Sequence, residues 1–167
     1  VVALGYYYSV PFPLPAANAT LAQVTTFATK YQNIVYLDTW LQAVGALLTV
    51  VFFLALVQLS GAMNRFAGWM TLVASTLTLA VALAEGTFAL GAIEAGINGH
   101  PEAAIASLDL TYVFVHIFLI LPAPLLFLAL GTVLLNSEVL PKLFSILALM
   151  LGVGFAIAGL AGFFSGI

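Results

Sequence analysis

The sequence predicts an all-α integral membrane protein: an up-down four-helix transmembrane bundle with an outer N-terminal amphipathic helix. Three observations predict it. Hydrophobic residues make up 64% of the chain and charged residues 5%, whereas soluble domains carry about 25% charge. Four apolar runs, roughly residues 37–59, 68–94, 110–135 and 143–166, are each long enough for a hydrocarbon core that takes about 20 residues of helix to cross. None of them has the polar face a buried soluble helix would need. The intervening segments, residues 60–67, 95–109 and 136–142, are short, and short connections make consecutive helices antiparallel neighbours.

Composition also excludes functions. Three basic side chains cannot form a nucleic-acid patch. The absence of cysteine removes disulfides, thiolate metal sites and thiol redox chemistry. No glycine-rich phosphate loop and no internal repeat is present.

Residues 1–36 form the first segment and residues 37–167 the four-span bundle. Tyr6, Tyr7 and Tyr8 followed by Pro11, Pro13 and Pro15 suit an interfacial aromatic cluster leading into extended chain. Asn18 is placed to cap a helix from Ala19 to Tyr31. Leu21, Val24, Phe27 and Tyr31 recur at helical spacing, so that this helix lies on the bundle or in the membrane interface. Asn18-Ala19-Thr20 fits the glycosylation triplet, a pattern common by chance. The chain opens on Val1 without a methionine, from which an upstream signal or additional span is expected, with trimming of the chain as the alternative.

Basic residues set the expected orientation. Arg65 and Lys142 fall on one side and Lys30 on the other, which puts the first and third loops in the cytoplasm. Residues 1–36 and 95–109 are then extracytoplasmic, in a multi-pass protein of the cell membrane.

The polar residues are unevenly placed. Glu85 lies about 15 Å below an outer end at Ala95, and His116 about 10 Å below one at Asp109, at 1.5 Å per residue of helix. An ionisable group at such depth costs on the order of 3 kcal/mol on insertion scales, so it needs a partner or a task. Tyr112 is one turn above His116 and Asp109 one turn above Tyr112. On the first span, Asp38, Gln42, Gly45 and Thr49 form a polar or small stripe. Glu94 falls on the helix face opposite Glu85. Glu85, His116, Tyr112, Asp109, Asp38 and Gln42 are therefore the candidates for a ligand site or a polar clamp. The plainest expectation is that Glu85 and His116 hydrogen-bond each other and lock two helices. A ligand pocket and a proton-transfer site are the alternatives.

Cofactor chemistry has little support. His116 can ligate one tetrapyrrole metal through a single imidazole, but a haem bundle usually offers two histidines at matching depth. A zinc site needs three or four ligands, and no spacing motif supplies them.

Pro122 and Pro124 fall inside the third span. Proline removes a backbone donor and clashes with the preceding turn, so a kink is expected there, freeing carbonyls near Phe118 and Ile120. Gly152, Gly154, Gly159, Gly162 and Gly166 mark the fourth span as a close-packing helix. Gly162 and Gly166 have the small-xxx-small spacing, used for packing within the bundle or for self-association.

The stretch from Glu138 through Pro141 and Lys142 to Ala148 resembles a bacterial family of small multi-span membrane proteins of unknown function. That family shows a polar loop, a Leu/Val-Pro-Arg/Lys pattern and a glycine-rich last span. The resemblance implies an additional first span upstream and carries over no functional residues.

Two functional classes follow. One is a non-catalytic membrane protein, either an accessory subunit of a membrane complex or a binder of a lipid or other hydrophobic ligand in an outer-leaflet polar pocket. The other is a membrane enzyme or proton-coupled transporter using Glu85 and His116. The expected partners are the bilayer, membrane proteins, and a second copy through the fourth span.

Overall fold

The computed structural model describes residue 15 and residues 19–165, with side chains through Gly162. The expectations for Tyr6–Tyr8, Pro11, Pro13, Asn18 and Gly166 lie outside the described residues. Helices α1 (Leu21–Leu59), α2 (Phe66–Ile97), α3 (Pro101–Ile120), α4 (Pro122–Leu135) and α5 (Lys142–Ser165) account for nearly all of the described residues, and no strand occurs among them. With α3 and α4 taken together, four helices are long and apolar enough to cross a membrane. The chain is a multi-pass membrane protein whose described residues are helical apart from the short connections.

Helix ends differ from the expected ones for identifiable reasons. Helix α1 starts on a capping box. The backbone N–H of Thr20 donates to Gln23 Oε1 at 2.8 Å, and the N–H of Gln23 donates to Thr20 Oγ1 at 3.4 Å. Two of the free N–H groups at the helix start are thereby satisfied. From there α1 runs 39 residues without interruption, straight through the expected boundary at residues 36 and 37. No glycine or proline occurs between Leu21 and Val44 to stop it.

Helix α1 ends in a Schellman motif. Gly61 takes φ +62°, the N–H of Ala62 donates to Val57 O, and that of Gly61 donates to Gln58 O. The accompanying apolar contact joins Ala62 to Val57. Helix α2 ends similarly, with Gly99 at φ +78° and the N–H of His100 on Ala95 O. Pro101 then opens α3, where its fixed φ and missing N–H cost nothing. The expected loop over residues 95–109 is thus reduced to residues 98–100.

The third span is interrupted beside the two prolines. Helix α3 stops at Ile120, Leu121 adopts φ −125° and ψ −63°, and α4 begins at Pro122. Neighbouring backbone bonds persist, from Leu121 N–H to Ile117 O and from Leu125 N–H to Leu121 O.

Two compact units divide the chain. The first comprises α1 up to Gly45 together with Ala82–Phe114. Its core holds Phe27, Ala28 and Val35 of α1 against Ile93, with Tyr31, Ala89 and Leu90 packed around them. Val24 is buried as expected, whereas Leu21 is exposed. Gly96 allows α1 close, since a Cβ there would come within 2.7 Å of Ala28 Cβ. Phe88 stacks on Phe114 at 5.5 Å.

The second unit comprises Ala46–Val81 and the chain from Val115 onward. Leu56 of α1 packs with Leu130 and Leu134 of α4, and Val139 and Leu140 join them. Val57 and Ala62 pack with Val133. The 60–65 and 136–141 connections therefore lie at one end of this unit. Helices α4 and α5 pack along each other. Phe155 stacks on Phe127 at 5.5 Å and meets Phe118 edge-on at 6.2 Å, covering both sides of the break at Leu121. Thr71 is fully buried and returns its hydroxyl to Ala67 O. The buried hydroxyls of Ser75 and Ser145 have no such partner.

Candidate functional site

The site is built in the first unit, where α1 and α2 cross. Asp38 and Gln42 are one turn apart on α1, which puts them on one face. Glu85 faces them from α2, and Gln42 Nε2 donates to Glu85 Oε2 at 3.1 Å. The residue after Glu85 makes this approach possible. A Cβ on Gly86 would come within 2.8 Å of Thr39 Cγ2, so a larger residue would hold the helices apart. Asp38, Gln42 and Glu85 are all half-buried, and Asp38 is near enough for its charge to act on Glu85.

The other candidates are placed as follows. Asp109 is exposed and Tyr112 half-buried on α3, where the two interact electrostatically. His116, also on α3, belongs to the second unit and is half-buried. The hydrogen bond described for Glu85 goes to Gln42, so its pairing with His116 remains a proposal. Glu94 is exposed and accepts from Asn98 Nδ2 at 3.5 Å.

Sequence reasoning named Gln42 but did not make it the partner of Glu85, and it missed Gly86 and Thr39. The signal for Gly86 was its position directly beside the acidic residue farther inside the second span.

The chemistry open to the pair is limited. An amide donates to a carboxylate and orients it, but it does not ionise and cannot pass a proton on as histidine does. Among the described residues no three His, Asp or Glu side chains come together as a metal site. We found no family model, characterised protein or solved structure similar to this chain.

Proposed function

We propose that the protein is a non-catalytic integral membrane protein, an accessory subunit of a membrane complex or a binder of a lipid or other hydrophobic molecule at the polar site around Glu85. The observation that carries this reading is the Gln42–Glu85 hydrogen bond. It commits the carboxylate to a non-titrating partner on a neighbouring helix, which suits a clamp or a binding wall better than a proton relay. In this reading the helices form an up-down bundle, supported by the clusters that pack the end of α1 and Ala62 of the first connection against the end of α4 and Val139 and Leu140 of the third. Residues 1–36 act as an outer segment whose amphipathic helix continues into the first span. They share the extracytoplasmic side of the cell membrane with the second connection.

The second reading is a membrane enzyme or proton-coupled transporter using Glu85 and His116. Asp38 favours it, because a second acidic residue stands near enough for its charge to act on Glu85.

Purification in mild detergent followed by native mass spectrometry, paired with flux assays in proteoliposomes, separates the two. The first reading expects a retained lipid or partner subunit and no flux driven by a pH gradient. A pH-driven flux abolished by Glu85→Gln would replace it with the second.

A further inference from the structure

The second unit carries its charge at one end. Its chain, Ala46–Val81 and Val115–Ile167, contains one arginine, one lysine and one acidic residue, namely Arg65, Lys142 and Glu138. The other five acidic residues of the protein all fall in the first unit. Packing brings the two cations to the same end. Ala62 of the first connection is buried with Val57 of α1 and Val133 of α4, and the Arg65 N–H donates to Ala62 O at 3.0 Å. Val139 and Leu140 of the third connection pack against Leu56 of α1 and Leu134 of α4, and Lys142 follows two residues later. Leu56 and Val57 are adjacent on α1, so both connections close over the same helix end.

Each cation heads an exposed apolar stripe. Arg65 sits at the start of α2, where its carbonyl accepts from the Trp69 N–H at 3.1 Å. Residues four apart lie on one helix face, so Arg65, Trp69 and Val73 form a line. Trp69 is 60% and Val73 48% exposed. Thr76 extends this stripe, but its hydroxyl donates to Leu72 O at 3.0 Å and adds no unmet donor. Lys142 opens α5, and Ile146 and Met150 follow it at the same spacing, 50% and 65% exposed. Both cations are themselves exposed.

A phospholipid has the same two parts, a phosphate and apolar chains below it. Guanidinium and ammonium groups bind phosphate oxygens through charge-assisted hydrogen bonds. Tryptophan, one turn from Arg65, is the side chain whose amphipathic ring settles between headgroup and hydrocarbon. The surplus of one cation over Glu138 favours a lipid with a net negative headgroup. A soluble acidic protein would meet the cations but leave the stripes bare to water.

We propose that this end of the second unit binds anionic phospholipid, with phosphates held by Arg65 and Lys142 and acyl chains lying along Trp69 and Val73 and along Ile146 and Met150. None of these residues belongs to the site around Glu85. The inference rests on the membrane reading alone and not on the accessory or binding role, whose failure would leave it standing.

Native mass spectrometry tests it on the full chain, delipidated in mild detergent and then given phosphatidylglycerol or phosphatidylcholine with identical acyl chains. The wild type should retain phosphatidylglycerol the more strongly. A cation beside an anionic headgroup is worth about fivefold in binding, or about 1 kcal/mol. Arg65→Gln and Lys142→Gln should therefore each weaken phosphatidylglycerol binding about fivefold and leave phosphatidylcholine binding unchanged. Glu138→Gln should strengthen the preference. Trp69→Ala should weaken both lipids alike, because it shortens the apolar track. Raising the salt concentration, which needs no substitution, should erode the wild-type preference. Equal retention of the two lipids by the wild type would overturn the proposal, as would a preference untouched by salt and by both glutamine variants. Displacement of the lipid by inorganic phosphate would overturn it too, by assigning the cations to a free anion. Glu85→Gln should leave the preference intact, and its loss there would move the lipid to the Glu85 site.

Discussion

Leu149 of α5 lies over Gly131 of α4, with its Cγ 2.7 Å from where a Gly131 Cβ would be. The relation is reciprocal, because Leu128 of α4 covers Gly152 of α5 at the same 2.7 Å. Each helix offers a leucine and, three residues on, a glycine to receive its neighbour's leucine. Small residues at such crossings let membrane helices gain close van der Waals contact, which drives their association in lipid. Gly131→Ala and Gly152→Ala should each destabilise the protein by about 1–3 kcal/mol, the usual cost of overpacking. Thermal unfolding in detergent measures this, with Gly154→Ala as the control, since nothing lies within 4 Å of a Cβ there. Equal losses at all three positions would contradict the interlock.

The first connection has a comparable constraint. A Cβ on Gly68 would overlap the carbonyl of Ala62 and come within 3.2 Å of Val57 Cγ1. Backbone cannot yield as a side-chain tip can. Gly68→Ala should therefore cost at least as much as Gly131→Ala in the same unfolding assay, despite the better helix propensity of alanine.

Gln42 and Glu85 should be energetically coupled. In a double-mutant cycle with Gln42→Leu and Glu85→Leu, the coupling should fall near 0.6–1.7 kcal/mol, the range from about average to largest for polar contacts between membrane helices. The proposed Glu85–His116 contact is tested by a parallel cycle using Glu85→Gln and His116→Leu. Non-additivity is expected there too, and strictly additive losses would reject that pairing while leaving the one with Gln42 intact.

The capping box at the start of α1 should be visible locally. Thr20→Ala should cost about 0.5–2 kcal/mol, as loss of an N-cap usually does. Amide hydrogen exchange should accelerate at Gln23 and Val24 and stay unchanged near Leu56. A uniform acceleration along α1 would mean that the cap supports the whole fold and not its first turn.

Sidedness is tested by labelling single cysteines introduced at Thr20, Asn64, Asn98 and Ser137 with a membrane-impermeant reagent. Thr20 and Asn98 should label from one side and Asn64 and Ser137 from the other. Labelling of Asn64 and Asn98 from the same side would rule out the up-down arrangement.

Much of this architecture is legible in the sequence because hydrocarbon imposes a length and a composition on any helix that crosses it. Pro122 and Pro124 announced the break at Leu121 for an equally local reason. The extent of α1 was less legible. The first span is expected from residue 37, where its apolar run begins, yet the apolar spacing through Val24, Phe27 and Tyr31 continues to Val35, where it meets Ile93. Similarly, Gly99 and Pro101 together are a helix stop and start, and reading the whole of residues 95–109 as loop underused them. The partner of Glu85 was harder to find. Depth along a helix follows from counting residues, but which residue of a neighbour lies opposite depends on how closely the two backbones approach. Here that approach depends on Gly86 against Thr39.

The order of these residues along the chain matters during biosynthesis. Domains and hairpins form as the chain emerges, N-terminal parts first. Gln42 is synthesised before Glu85, and the Schellman turn at Gly61 folds α2 back beside α1 using only local contacts. The carboxylate thus needs only α1 and α2 to meet its amide, with no contribution from α3 or the helices after it. A hairpin of α1 and α2 already holds every atom of the clamp, so Glu85 does not depend on a later helix for this partner.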